Sequence, residues 1–376
     1  MFIFMKKRKV YILKILILTE MKGIELTEKE KIVLYGLTKY PMSTDKQLSE
    51  KFGLKHSTVT SIKQRLRKNE FFRTLKIPML QNMGCEMLVV IYTNFSPLIP
   101  LEERVQIAGK TIEVFDEIFF SVGEQDKGFS ISLSKDYATI GRINDIRTQT
   151  FGGHGLLEGE YPNMVVFPFE ISKIYCFFDF ALLLEKCFEL ELQSNELGRD
   201  VYFRKREDVS FSATEKKVYC MLIKYPYLSD TDIGIKLGVS RHTISRLRRV
   251  FENGGLIKKI NLPNLQKLGF EILTFSHIRF DPRNPPNMDK NETMSLMSES
   301  TIFMASRRFE ALMLSMYAKY DDYKMDKTRM IQFLKENNWI ASNPTIQEYS
   351  LNKSIFIKDF IFAPITQKIL GHKSLI

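Results

Sequence analysis

Two segments of this sequence concentrate positively charged and small polar side chains where a short helix is predicted. They are KHSTVTSIKQR, residues 55–65, and SRHTISRLRRV, residues 240–250. Lysine and arginine can neutralise phosphates, and arginine, glutamine, serine and threonine can hydrogen-bond to base edges in a DNA groove. These residue types therefore point to nucleic-acid binding.

The net charge of the chain is concentrated around the same two segments. The 376 residues carry a formal charge of +11, of which residues 27–77 hold +7 and residues 214–262 hold +6. A further +4 lies in the first 26 residues, so the remainder is mildly acidic. Two compact basic regions on an acidic body are expected of a protein that binds a polyanion.

Apolar residues indicate which face of each predicted helix is buried. Ile244, Leu247 and Phe251 recur at intervals of three and four residues, and Val59 begins the same pattern in the first segment. The other faces, and the basic residues of the strand-like segments FFRTLKIP and LIKKINLP that follow, are predicted to contact DNA. The predicted DNA-binding residues are Lys55, His56, Ser57, Thr60, Ser61, Lys63, Gln64, Arg67, Arg73, Lys76, Ser240, Arg241, His242, Ser245, Arg246, Arg249, Lys258 and Lys259.

Two further helical patterns precede each basic segment. Thr27 and Ser212 each begin a capping box at the start of the first pattern. Gly53 and Gly238 follow the second pattern and supply a tight turn before the third helix. Three helices followed by a strand that lies along the DNA backbone predict a winged helix-turn-helix in each half.

The two halves of the chain align without a gap at an offset of 185 residues. The alignment runs from Tyr40 against Tyr225 to Leu88 against Leu273, and it includes Gly84 against Gly269. This period is far longer than that of solenoid repeats. The sequence therefore predicts a duplicated pair of domains.

After the basic region, the first half reads as strand, helix, two strands, helix and strand. The segments are EMLVVIYTNF, LEERVQIAGKTI, DEIFFSVG, GFSISLSKD, ATIGRINDIRTQT and MVVFPFEI. This is the βαββαβ order of a ferredoxin-like domain, and the second half repeats it less clearly. The predicted fold class is α+β, with two winged helix-turn-helix domains alternating with two ferredoxin-like domains.

The predicted boundaries follow from these patterns. Either Met1, Met5 or Met21 can be the true start. The predicted units are an N-terminal extension over 1–26, winged helix-turn-helix domains over 27–82 and 213–267, ferredoxin-like domains over 83–184 and 268–376, and a linker over 185–212.

With this order, the chain resembles the Lrp/AsnC (feast/famine) family of transcription regulators. The resemblance is carried by GLKHSTVTSIKQRL, GVSRHTISRLRRVFENGGLI and the junctions IPMLQNMGCEML and LPNLQKLGFEIL. It implies a regulator that binds double-stranded DNA and self-associates through its sheet domains. Two copies in one chain imply a covalent pseudo-dimer whose two recognition helices differ, and hence an asymmetric operator.

The resemblance also implies an effector site for an amino-acid-like molecule. Gly123 and Asp126 in VGEQD match the glycine and acid that lie near the family's effector pocket. The second half has Arg307 and Arg308 at this place, which implies a lost site or an anionic ligand.

Other classes of function have weaker signals. The four cysteines lie far apart, and the five histidines have no metal-ligand or nucleophile spacing, so we expect no metal, no cofactor and no enzymatic activity. No apolar run is long enough to span a membrane, so a cytoplasmic protein is expected.

Three alternatives stay open. One is an enzyme resembling the siroheme decarboxylases, which share this fold and would need a pocket lined by arginine and histidine in the sheet domains. The others are a replication initiator and a protein-interaction scaffold built from winged domains.

Overall fold

The computed structural model describes residues 26–190, 201–203, 208–287, 292 and 295–371. The predicted extension up to residue 25, with all three candidate start residues, lies outside the described residues. So does the central part of the predicted linker.

The described residues form a mixed α+β fold, as predicted. Its first half contains α1 Glu28–Lys39, α2 Asp45–Lys51, α3 His56–Lys68, β1 Phe72–Pro78, β2 Met87–Asn94, α4 Leu101–Glu113, β3 Ile118–Gly123, β4 Lys127–Ser134, α5 Tyr137–Gly153, β5 Asn163–Pro168, β6 Lys173–Tyr175 and α6 Ala181–Cys187. Its second half contains β7 Val201–Tyr202, α7 Ala213–Lys224, α8 Asp230–Leu237, α9 Arg241–Asn253, β8 Ile257–Pro263, β9 Ile272–Arg279, β10 Thr301–Arg307, β11 Glu310–Tyr317, α10 Tyr320–Glu336, β12 Thr345–Ser350, β13 Ile355–Asp359 and α11 Ala363–Ile369.

The helix starts follow the local sequence. Thr27 and Ser212 accept hydrogen bonds from the amides of the third residue of α1 and α7, and both capping boxes are complete. Ser240 caps α9 in the same way, whereas Lys55 provides no side-chain cap for α3. Gly238 ends α8 with a φ of 65°, the left-handed conformation that glycine adopts most readily.

The strands predicted to be DNA-contacting wings pair with each other. β1 and β8 form a two-stranded antiparallel sheet in which Leu75 lies opposite Ile260, its counterpart 185 residues later. Asn261 of β8 donates a hydrogen bond of 2.7 Å to the carbonyl of Leu37 in α1. The backbone groups of β1 and β8 are thus used to join the two halves, which corrects the prediction that these strands lie free along DNA.

Two larger sheets exchange edge strands. One has the order β13-β3-β4-β2-β5, and the other has the order β12-β9-β11-β10-β6-β7. β6 comes from the first half but joins the sheet of the second, and β13 does the reverse. The exchange makes each half complete the other's sheet.

The two large sheets pack face to face around an aromatic core. The ring centroids of Tyr92 and Phe275 are 4.9 Å apart, and those of Phe129 and Phe275 are 5.1 Å apart. Helices α4, α5 and α10 cover the opposite faces of the sheets. Within the described part of the chain, no helix is long and apolar enough to cross a membrane.

Candidate functional site

The outer faces of α3 and α9 are open to solvent. Lys55, His56, Ser57, Ser61, Gln64 and Arg67 are exposed in the first half, as are Ser240, Arg241, His242, Arg246 and Arg249 in the second; Ser245 is half-buried. These side chains therefore stand where a polyanion could reach them.

The remaining predicted residues of α3 are tied to the neighbouring helix. Lys63 forms an ion pair of 2.5 Å with Asp45, and the Thr60 hydroxyl donates a hydrogen bond of 3.0 Å to the same carboxylate. Arg248 and Asp230 form the corresponding pair in the second half, with Nε 2.6 Å from Oδ1. These contacts hold each third helix against the second, so Thr60 and Lys63 already have partners within the protein.

The basic residues of the paired strands are not arranged as a DNA-contacting surface. Lys76 is buried and forms an ion pair of 3.0 Å with Glu252. Arg73 pairs with Asp359, and the Lys258 ammonium lies 3.7 Å from the centre of the Tyr202 ring. Lys259 is half-buried, and burial, together with the charges of Lys63, Lys76 and Arg67, lowers its pKa. Because the strands join the two halves, these cations are used within the chain.

Gly123 and Asp126 occupy different environments. Gly123 is buried beneath the Arg104 guanidinium, which lies 3.2 Å from where a glycine Cβ would be. Asp126 is exposed and pairs with Lys127 at 3.5 Å. The two residues lie at one hairpin, but no enclosed effector pocket joins them among the described residues. Arg307 of the second half pairs with Glu310 at its hairpin, and Arg308 is exposed.

The sequence analysis missed a polar chain between the two large sheets. The Tyr92 hydroxyl lies 3.1 Å from Nδ1 of His277, and Nε2 of His277 lies 3.2 Å from a carboxylate oxygen of Glu310. Tyr92 and His277 are 97% buried. They are counterparts at the offset of 185 residues, so they meet across the same axis as Leu75 and Ile260. That offset was the available signal.

The charges around this chain fix its protonation. Burial alone would raise the pKa of Glu310, but hydrogen bonds from His277 and Arg307 outweigh it and lower the pKa. Burial raises the pKa of Tyr92, so the phenol keeps its proton. With Glu310 ionised, Nε2 of His277 donates to it, and Nδ1 is left to exchange a proton with Tyr92.

The outer end of the polar chain opens to solvent. Asn94 and Arg279, the residues two positions after Tyr92 and His277, are both exposed. Gln347 donates a hydrogen bond of 2.8 Å to Asn94, and the charge of Arg279 acts on the pKa of Tyr92. We define Tyr92, His277, Glu310 and Arg279 as the axial cluster. Among the described residues, no group of three or more histidine, cysteine or acidic side chains is arranged to hold a metal ion.

Comparison with known proteins connects this architecture to an enzyme. No protein-family model matches the sequence, and no curated protein sequence matches it. The fold is similar to that of the siroheme decarboxylase NirDL, with a TM-score of 0.50 and 8% sequence identity, over 92% of this chain and 99% of that chain.

Parts of the chain are also similar to smaller regulators. E. coli AsnC gives a TM-score of 0.29 at 12% identity, over 38% of this chain and 91% of that chain. A transcriptional regulatory protein of the AsnC family from Pyrococcus furiosus gives 0.30 at 16% identity, over 38% of this chain and 89% of that chain. These scores are too low to support an argument about function.

The whole-chain match contradicts the prediction that this protein is not an enzyme. The structure that shares its fold over nearly the full length of both chains is that of an enzyme. The prediction rested on the lack of catalytic motifs in the sequence, and the axial cluster is assembled from residues that lie far apart in the sequence.

Proposed function

We propose that this protein is a decarboxylase acting on a carboxylate-bearing tetrapyrrole of the siroheme kind. The observation that carries the proposal is the axial cluster, a buried tyrosine–histidine–glutamate chain that opens to solvent beside an arginine. The likeness in fold to a siroheme decarboxylase supports this choice of substrate.

The cluster has the groups that a decarboxylation needs. When a carboxylate leaves as carbon dioxide, its carbon–carbon bond breaks and the electron pair stays on the substrate carbon. A proton must then form the new carbon–hydrogen bond. Tyr92 holds such a proton, His277 can replace it through Nδ1, and ionised Glu310 stabilises the histidine while it does so. Solvent restores the proton, so the reaction needs no oxidant.

Arg279 has the chemistry to anchor the substrate. It is exposed beside the opening of the cluster, and a guanidinium can hold a carboxylate through two parallel hydrogen bonds. Arg279→Ala is expected to weaken siroheme binding by about tenfold or more, as for the loss of hydrogen bonds to a charged group. An absorbance titration with siroheme measures this affinity.

Arg283→Ala provides the control for this titration. Arg283 is also an exposed arginine, four residues further along, and its guanidinium is paired with Asp281. Its replacement should leave siroheme affinity unchanged. Equal affinities for the wild type and Arg279→Ala would remove Arg279 from the site, and no absorbance change with the wild type would contradict the proposed substrate.

DNA binding is a second candidate, because the exposed cations of α3 and α9 remain unexplained by the axial cluster. Affinity for a DNA duplex should fall as salt rises, with a logarithmic slope of about 0.9 per neutralised phosphate. Arg246→Ala should reduce that slope by about one. Arg308→Ala, which removes an exposed arginine from the β10–β11 hairpin, should leave it unchanged. A wild-type affinity that does not depend on salt would contradict this candidate.

A further inference from the structure

The helix-facing side of the first large sheet is polar although it is buried. Ser121 lies on β3, and Ser130 and Ser132 lie on β4; each is at least 98% buried. Neither the Ser132 hydroxyl nor that of Thr93 on β2 has a hydrogen-bond partner among the described residues. Buried polar groups in proteins are nearly always hydrogen-bonded, so this layer calls for an explanation.

The strand register places two arginines over this face. Gly123 pairs with Gly128, which also pairs with Thr93, and the next rung on the same face joins Ser121 to Ser130. Same-face positions on a strand are about 7 Å apart. Any side chains above these two rungs are therefore close neighbours.

Arg147 of α5 lies over the serine rung. Its side chain is 98% buried, and one guanidinium nitrogen donates a hydrogen bond of 2.8 Å to the Ser130 hydroxyl. The Nε atom has no partner among the described residues. Its charge is offset by no carboxylate, and burial lowers its pKa to about 10.

Arg104 of α4 lies over the glycine rung. It is 98% buried, its guanidinium stands 4.6 Å from the centre of the Phe95 ring, and Nε and one terminal nitrogen have no partner among the described residues. Gly123 makes room for it, because a Cβ there would be 3.2 Å from the guanidinium.

The carboxylates nearest Arg104 do not neutralise both arginines. Burial lowers the pKa of Arg104 to about 10 even though the charges of Asp126 and Glu124 oppose this. Glu124 accepts hydrogen bonds from the Ser350 amide and from the Ser354 hydroxyl at 3.1 Å, and Asp126 is exposed. Two buried guanidiniums so close together repel each other strongly unless an anion lies between them.

The second half of the chain fills the same layer with apolar side chains. α5 and α10 each have 17 residues, and β4 and β11 each have eight. At the place of Arg147, α10 has Met330, and at the place of Ser130, β11 has Met313; both belong to a buried apolar cluster. Fold stability therefore does not require arginine in this layer.

We infer that the layer between the first large sheet and helices α4 and α5 is a binding site for a carboxylate or a similarly small oxyanion. Arg147 and Arg104 provide the charge, and the hydroxyls of Ser132 and Thr93 provide further hydrogen bonds. The site is separate from the axial cluster, because it lies on the opposite face of the same sheet.

Acetate is a suitable probe, and the wild-type chain needs no other ligand for the test. The midpoint of thermal unfolding should rise with acetate concentration at constant ionic strength, because a ligand that binds only the folded chain stabilises it. Arg147→Met, which installs the residue of the second half, should abolish this rise. Arg142→Met changes an exposed arginine of the same helix and should keep it.

A second variant tests the site with little risk to folding. Ser132→Ala removes a hydroxyl that has no partner within the described protein, and it should weaken the apparent acetate affinity by about tenfold. A wild-type midpoint that does not depend on acetate would overturn the inference. So would an acetate response in Arg147→Met equal to that of the wild type.

Calorimetric titration of acetate with and without siroheme distinguishes two sources of the anion. If the site holds a carboxylate arm of the substrate, saturating siroheme should abolish acetate binding. If it holds a free anion, acetate should bind equally well in both titrations. The thermal measurement alone does not depend on the proposed function, so failure of one proposal can be told from failure of the other.

Discussion

His277→Phe is expected to reduce the rate of siroheme decarboxylation by about 100-fold or more, the range that positioned acid–base groups contribute. The variant keeps an aromatic ring against Phe275 but removes the nitrogen that contacts Tyr92 and the one that contacts Glu310. Tyr92→Phe should cause a loss of similar size, because it breaks the same proton path. The double variant should be little worse than either single variant, since the residues act as a unit.

A matched control separates this effect from the loss of any histidine. His242 is exposed on α9, far in sequence from the sheets, and His242→Phe should decarboxylate at the wild-type rate. Far-ultraviolet circular dichroism and thermal unfolding would verify that each variant is folded. A folded His277→Phe variant with wild-type activity would exclude the axial cluster from catalysis.

Glu252→Ala is expected to lower the free energy of unfolding by about 3–5 kcal/mol, as for other buried ion pairs that lose one partner. Glu252 lies at the end of α9, and its carboxylate is 3.0 Å from the ammonium of Lys76, whose side chain is only 3% exposed. Without Glu252 the ammonium has to remain charged in a buried site or release its proton. Urea unfolding monitored by circular dichroism measures the change.

The loss should depend on pH. Burial and the charge of Arg248 already lower the pKa of Lys76 below its ordinary value of 10.5, despite Glu252. Between the folded and unfolded pKa values the unfolded chain binds more protons, so stability rises with pH in that window. Glu252→Ala lowers the folded pKa further and extends the window towards neutral pH. The destabilisation should therefore shrink as the pH approaches 10.5.

Adding Lys76→Asn to Glu252→Ala should recover much of the lost stability. Asn261 is the counterpart of Lys76 in β8, and an asparagine at this place carries no charge. If the double variant is as unstable as Glu252→Ala, the cause of the instability is not the unpaired ammonium.

Local structure was predictable because its causes are local. The helix starts at Thr27 and Ser212 and the turn at Gly238 depend on residues within one or two turns, and the structure confirms them. The buried stripe of α9 was also predictable, since Ile244, Leu247 and Phe251 follow helical spacing and are buried.

The use of β1 and β8 was not predictable in the same way. Alternating apolar and basic residues identify a strand, but they do not reveal its partner. Lys76 was predicted to contact DNA because a lysine on such a strand is usually exposed. Its partner Glu252 lies 176 positions further along the chain, and only the pairing of β1 with β8 brings the two together.

Both candidate sites depend on long-range packing. Tyr92 meets His277 because the two large sheets stack, and Arg147 reaches Ser130 because α5 lies across β4. Neither has a short motif that identifies it in the sequence. The comparison of the two halves supplies the missing signal in each case, through paired positions that differ in chemistry: tyrosine against histidine, and arginine against methionine.

Mass spectrometry of siroheme after incubation with the purified full-length chain tests the central claim most directly. The proposal predicts a product lighter by the mass of carbon dioxide, formed without added oxidant, and its absence when His277→Phe replaces the wild type. Recovery of intact siroheme from a folded wild-type protein that binds it would contradict the claim.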